Sequence, residues 1–143
     1  MNQKTTVEKI RVRYGETDMM GHAYYANYLF WFEQARGAWC RERGFTYLSL
    51  EERGIKLPVV EANLRYKGEA KYDDLLEVHI TLTEVRRSSM RFDYEIRNQS
   101  TGLVCTTGHT VHAVVDPEIK TTRLPQDMRE LLGRDPADFD TVP

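Results

Sequence analysis

The segment Tyr14-Gly15-Glu16-Thr17-Asp18-Met19-Met20-Gly21-His22-Ala23-Tyr24-Tyr25 sets a carboxylate, Asp18, in a glycine-punctuated loop ahead of a long apolar helical pattern. A helix start has backbone N–H groups without partners and carries the positive end of the macrodipole, so it stabilises a developing oxyanion. A carboxylate delivered beside such donors can attack a carbonyl carbon, or activate water to do so, while the amides hold the carbonyl oxygen. Taken alone, the same aspartate also reads as a cap of the turn or of the helix that follows.

The elements that must position this loop are legible from periodicity. Residues 7 to 14 alternate as a first strand, with Ile10, Val12 and Tyr14 on one face and Arg11 and Arg13 on the other. From residues 26 to 43, Tyr28, Trp31, Phe32, Ala35, Ala38 and Trp39 fall on one helical face, and Gly44 is the natural stop. A short helical turn over residues 47 to 53 follows. The rest is strand-like. Val60, Ala62, Leu64 and Tyr66 oppose Glu61, Asn63 and Arg65; Leu76, Val78, Ile80 and Leu82 form a second apolar face. Met90, Phe92, Tyr94 and Ile96 form a third, and residues 103 to 115 make a last strand, mixed on both faces. Such period-2 patterning with short separators predicts antiparallel hairpins. The class is α+β: the pattern suits an antiparallel sheet curled around one helix, and it also permits other α+β folds with a helix on one sheet. Beyond Asp116, Pro125 opens a short helix through Leu132 that Gly133 closes, and the acidic tail after it is expected to be mobile.

Several stretches taken in order carry a resemblance. They are Arg13-Tyr14, Thr17-Asp18 with Gly21, and Tyr25-Ala26-Asn27-Tyr28-Leu29 running into Trp31-Phe32-Glu33-Gln34-Ala35-Arg36. Val60-Glu61-Ala62-Asn63-Leu64-Arg65-Tyr66, Ala70-Lys71-Tyr72-Asp73-Asp74 and Arg87-Ser88-Ser89 follow. The chain resembles the 4-hydroxybenzoyl-CoA thioesterase family of the hotdog superfamily over residues 7 to 116. The resemblance implies a hotdog fold, a five-stranded antiparallel sheet wrapped around one long central helix, in a single domain spanning residues 1 to 143.

It also implies that Asp18 is the nucleophile or general base and that the backbone N–H of Tyr25 polarises a thioester carbonyl. Gly21, His22, Asn27, Tyr28 and Glu33 then fall on the substrate side of the site. His22 replaces a small aliphatic residue common in relatives, and either contacts the thioester or water or stays at the loop surface. Tyr25 stands where many relatives have histidine, which leaves a backbone donor unaffected. Glu33 either reads a polar acyl substituent or is a solvated or interface carboxylate. Arg86-Arg87-Ser88-Ser89 resembles the stretch that lines the CoA path, while charge at a hairpin tip also serves solvation alone. Lys67, Lys120 and Arg123 are weaker candidates for phosphate contacts. Direct attack through a mixed anhydride and general-base activation of water both remain open.

Composition narrows the alternatives. At 143 residues with a net charge of -2, the chain lacks the basic footprint of a nucleic-acid binder. The polar N-terminus offers no signal-peptide core and no window is long and apolar enough for a membrane span, so a cytoplasmic protein is expected. Cys40 and Cys105 read as buried thiols. His109 and His112, three apart on a strand, point to opposite faces, so neither a metal nor a cofactor is expected. The resemblance implies an acyl-CoA or acyl-carrier thioester as substrate and a homo-oligomer as assembly, a dimer pairing again into a tetramer. A hydratase or dehydratase acting on acyl-CoA, and a non-catalytic acyl-thioester binding module, are the competing readings.

Overall fold

The computed structural model describes residues 4–131. Five strands, β1 (Thr5–Arg11), β2 (Val59–Tyr66), β3 (Leu75–Val85), β4 (Ser89–Asn98) and β5 (Leu103–Ala113), form one antiparallel sheet in the order β1-β3-β4-β5-β2. The long helix α1 (Asn27–Glu42) packs on β1 and β3, and α2 (Tyr47–Glu52) follows it. A third helix, α3, covers Gln126–Leu131 behind Pro125. Its expected end at Leu132 and Gly133, and the acidic tail, lie outside the described residues.

All six residues of the expected helical stripe, Tyr28, Trp31, Phe32, Ala35, Ala38 and Trp39, are buried. They meet the alternating faces Leu76, Val78, Ile80 and Leu82 of β3 and Met90, Phe92, Tyr94 and Ile96 of β4, also buried. Phe32 stacks on Tyr94 with centroids 3.9 Å apart and planes within 6°. The helix can lie this close because β5 has no side chain beneath that ring. A Cβ at Gly108 would stand 2.3 Å from the Asn63 carbonyl oxygen and 3.0 Å from Phe32. Cys40 and Cys105 are free and buried, as expected.

Two strands depart from the expectation. β1 ends at Arg11, and Tyr14 lies in a 3-10 turn over Tyr14–Glu16 with its ring 78% exposed. The cause is local: the Glu16 carboxylate accepts from the Arg13 N–H at 2.7 Å and closes the chain into a turn. In β2 the expected apolar face is not buried; Val60 is 62% and Tyr66 50% exposed. β2 hydrogen-bonds only to β5, at the sheet edge farthest from β1, which leaves its other edge open.

A buried polar chain crosses from helix to sheet. His112 Nδ1 bonds the Leu57 carbonyl at 3.0 Å, and a carbonyl only accepts, so Nδ1 carries the proton. Nε2 is then an acceptor for the Thr110 hydroxyl at 2.8 Å. Thr110 in turn accepts from Tyr94 at 2.5 Å, and Tyr94 accepts from Arg36 Nη1 at 3.1 Å. Donation from Thr110 requires a neutral imidazole, and burial pushes His112 down to about 4. Because the folded value lies below the ordinary 6.5, the native state binds fewer protons than the unfolded chain between these limits. Stability from this group is therefore complete above pH 6.5 and is lost as pH falls towards 4, to a total of about 3 kcal/mol. Urea denaturation across that window should show a steeper loss in the wild type than in His112→Gln; equal slopes would contradict the chain.

Candidate active site

The loop that carries Asp18 is tied at both ends. Thr17 bridges to Ala23, and His22 bridges to Lys71 in the segment leading into β3. Ala23 N–H donates to the Ala70 carbonyl at 2.7 Å. Gly21 makes the reversal with φ +80°, and its N–H donates to the Asp18 carbonyl at 3.0 Å. The Asp18 side chain shares in the turn: Oδ1 accepts from Met20 N–H at 2.9 Å and from His22 N–H at 3.2 Å. Both sequence readings of this aspartate are therefore compatible. One oxygen braces the loop, and Oδ2 has no hydrogen-bond partner among the described residues.

The helix start lies immediately downstream. Asn27, Tyr28 and Leu29 donate to the carbonyls of Tyr24, Tyr25 and Ala26, whereas the N–H groups of Tyr25 and Ala26 donate to no atom among the described residues. Two free amides at the positive end of α1 are what an oxyanion needs. The Tyr25 ring is exposed, packed on Tyr24 at 4.6 Å, and its carbonyl accepts from the Tyr66 hydroxyl at 3.0 Å. This contact brings the exposed edge strand β2 against the site.

Glu16, two residues before Asp18, organises the region. Its carbonyl accepts from Tyr24 N–H at 2.8 Å and from Asn27 Nδ2 at 2.7 Å. Its carboxylate accepts from Trp31 Nε1 at 3.0 Å as well as from Arg13. Burial alone would raise this carboxyl, but the hydrogen bonds from Arg13 and Trp31 prevail and hold it below its ordinary value. The available signal was a tryptophan on the helix downstream, Trp31, whose indole, once buried, must find an acceptor.

The other expected residues divide. Asn27 is spent on Glu16, and Tyr28 is buried edge-to-face against Tyr66. His22 is half-buried with Nε2 2.6 Å from Glu69. Glu33 is exposed on the outer side of α1, about 12 Å along the helix from the Tyr25 amide. Arg86, Arg87, Ser88 and Ser89 close the β3–β4 hairpin, with Arg86 paired to Glu84 at 2.9 Å. That hairpin stands at the far end of β3 from the Asp18 loop, about 33 Å along the strand. One chain does not bring the two together. Lys120 is paired with Glu118 at 3.6 Å. Among the described residues no group of three or more His, Cys, Asp or Glu is arranged to hold a metal, and no helix is long and apolar enough to cross a membrane.

Removing the Glu16 carboxylate leaves the buried Trp31 indole without its acceptor, at a cost of about 1–3 kcal/mol. Glu16→Ala should lower the melting temperature and speed hydrogen exchange at the Trp31 indole N–H, read by NMR. Unchanged exchange would remove Glu16 from this role.

Comparison with known proteins agrees with the geometry. A family model described as the thioesterase-like superfamily matches residues 12–132. The acyl-CoA thioester hydrolase YbgC of Escherichia coli O157:H7 is 29% identical over 83% of this chain and 89% of its own. A 1,4-dihydroxy-2-naphthoyl-CoA hydrolase of Synechococcus elongatus is 27% identical over 85% of this chain and 90% of its own. The crystal structure of a DHNA-CoA thioesterase from Staphylococcus aureus superposes with a TM-score of 0.84 at 33% identity, covering 90% of this chain and 89% of that one. With its sheet order, its helix and its matched length, the chain belongs to the thioesterase-like superfamily of hotdog-fold enzymes.

Proposed function

We propose that this protein hydrolyses acyl-CoA thioesters to the free acid and CoA, with Asp18 as nucleophile or general base and the Tyr25 amide as oxyanion donor. The observation that carries the reading is the pairing of a braced carboxylate with two unpartnered amides at the start of α1. Met20 and His22 hold Oδ1, which orients the carboxylate and leaves Oδ2 for the carbonyl carbon or for water. As negative charge develops on the carbonyl oxygen, the Tyr25 N–H and the helix dipole stabilise it. The leaving thiolate is a weak base, with an ordinary thiol pKa of about 8.5, so little general-acid help is required. The names of the relatives, an acyl-CoA thioester hydrolase and a naphthoyl-CoA hydrolase, support the same substrate class.

A second copy completes this site. β2 is an uncovered edge, and Val59, Val60 and Tyr66 on it, with Met19, Met20, Tyr24 and Tyr25 on the loop, are exposed apolar groups. Such an edge and such a patch favour burial against a partner. Pairing two β2 strands covers both and sets the Asp18 loops beside the junction. The Arg86–Ser89 hairpin then reaches CoA only from another copy, since in its own chain it stands at the far end of β3.

Asparagine at residue 18 can still accept from Met20 and His22, so Asp18→Asn should keep the fold and the melting temperature. Thiol release from a panel of acyl-CoAs should fall about a thousandfold. Wild-type turnover in this variant would remove Asp18 from the mechanism. Turnover of an enoyl-CoA with no thiol release would select the hydratase reading instead.

A further inference from the structure

Arg36 is a charged residue on the apolar stripe of α1, four after Phe32 and three before Trp39, and it is only 8% exposed. A buried guanidinium is ordinarily matched by a carboxylate. Here it is not. Nε donates to the Tyr47 hydroxyl at 3.3 Å and Nη1 to the Tyr94 hydroxyl at 3.1 Å, while Nη2 has no partner among the described residues. Arg36 lines a groove of about 400 Å³ with Glu33, Gly37, Arg41, Tyr47 and Leu57. Arg41 also lacks a hydrogen-bonding or ionic partner among the described residues, and it folds back over the helix because Gly37 has no side chain. A Cβ at Gly37 would stand 3.1 Å from Arg41 Nη1. Glu33, on the same groove, is paired with neither arginine.

We infer that this groove binds a carboxylate, held by the free edge of the Arg36 guanidinium and by Arg41. Two guanidiniums and one carboxylate leave the groove a single positive charge, which a monoanion balances. The planar fork of an arginine fits the two oxygens of a carboxylate. The two tyrosine hydroxyls behind Arg36 fix its plane, so little ordering is left for the ligand to impose. Along α1 the groove lies about 16 Å from the Tyr25 amide. The carboxylate is therefore either the far end of an acyl group that carries a second acid, or a separate carboxylic acid such as a released product. The first source rests on the reading of Asp18 and Tyr25 given above.

The test compares ω-carboxyacyl-CoAs of graded chain length with their methyl esters, and in parallel measures the melting temperature against added octanoate. If the acyl group supplies the carboxylate, the wild type should favour the free acid over its ester by about tenfold in kcat/KM at one chain length. That ratio should collapse towards one in Arg36→Gln and in Arg41→Gln. If the carboxylate is separate, the ratio stays near one, but octanoate raises the wild-type melting temperature saturably and does so in neither variant. A ratio of one together with no octanoate effect overturns the inference. Should Arg36→Gln fail to fold, the exposed Arg41→Gln carries the comparison. Failure of every thioester to be hydrolysed would sink the proposed reaction, while the octanoate arm would still decide the groove.

Discussion

One residue outside the proposed chemistry sets the geometry on which that chemistry depends. Glu16 uses its carbonyl to hold Tyr24 and Asn27, and its carboxylate to hold Arg13 and Trp31. These bonds fasten the end of the first strand, the loop and the first turns of α1 to one another. Asp18 sits two residues further on, and Tyr25 sits inside the span that Glu16 closes. The separation between a carboxylate and an oxyanion donor must be held to a fraction of an ångström for either to act on one carbonyl. A short exposed loop holds such a distance only if its ends cannot drift.

The same economy runs through the core. Where α1 crosses the sheet, Gly108 lets Phe32 and Tyr94 stack, and the Tyr94 hydroxyl accepts from Arg36 and donates inward to Thr110, which donates to His112. Apolar packing and a directed polar chain therefore share one junction. A charge inside such a junction is costly unless something answers it. Tyrosine hydroxyls answer part of the Arg36 guanidinium, and the remainder faces a groove.

Much of the fold was legible in the sequence because burial writes periodicity. Leu76 to Leu82 and Met90 to Ile96 alternate cleanly, since each strand has one face under the helix, and those faces are buried as expected. The stripe from Tyr28 to Trp39 was equally plain. Val60 to Tyr66 alternates just as well and yet is exposed. Periodicity reports a face prepared for burial without saying which chain covers it. Tyr14 was misplaced because a strand pattern cannot register the Glu16 side chain that ends the strand early. At the site, Asp18 and the helix start were readable from residue type and order. Glu16 was not, because its role lies in hydrogen bonds to residues as distant as Trp31. Arg36 left a signal, a cation on an apolar stripe, that residue-type reasoning passes over when it looks only for acids, histidines and nucleophiles.

In the proposed geometry the thioester oxygen rests on the free amides at the start of α1 while the Asp18 side chain faces the carbon. A crystal structure of the Asp18→Asn protein holding an intact acyl-CoA tests it most directly. The thioester carbonyl oxygen should lie within hydrogen-bonding distance of Tyr25 N, with the residue 18 side chain against the carbonyl carbon. A carbonyl directed away from the helix start, or bound where residue 18 cannot reach it, would contradict the account.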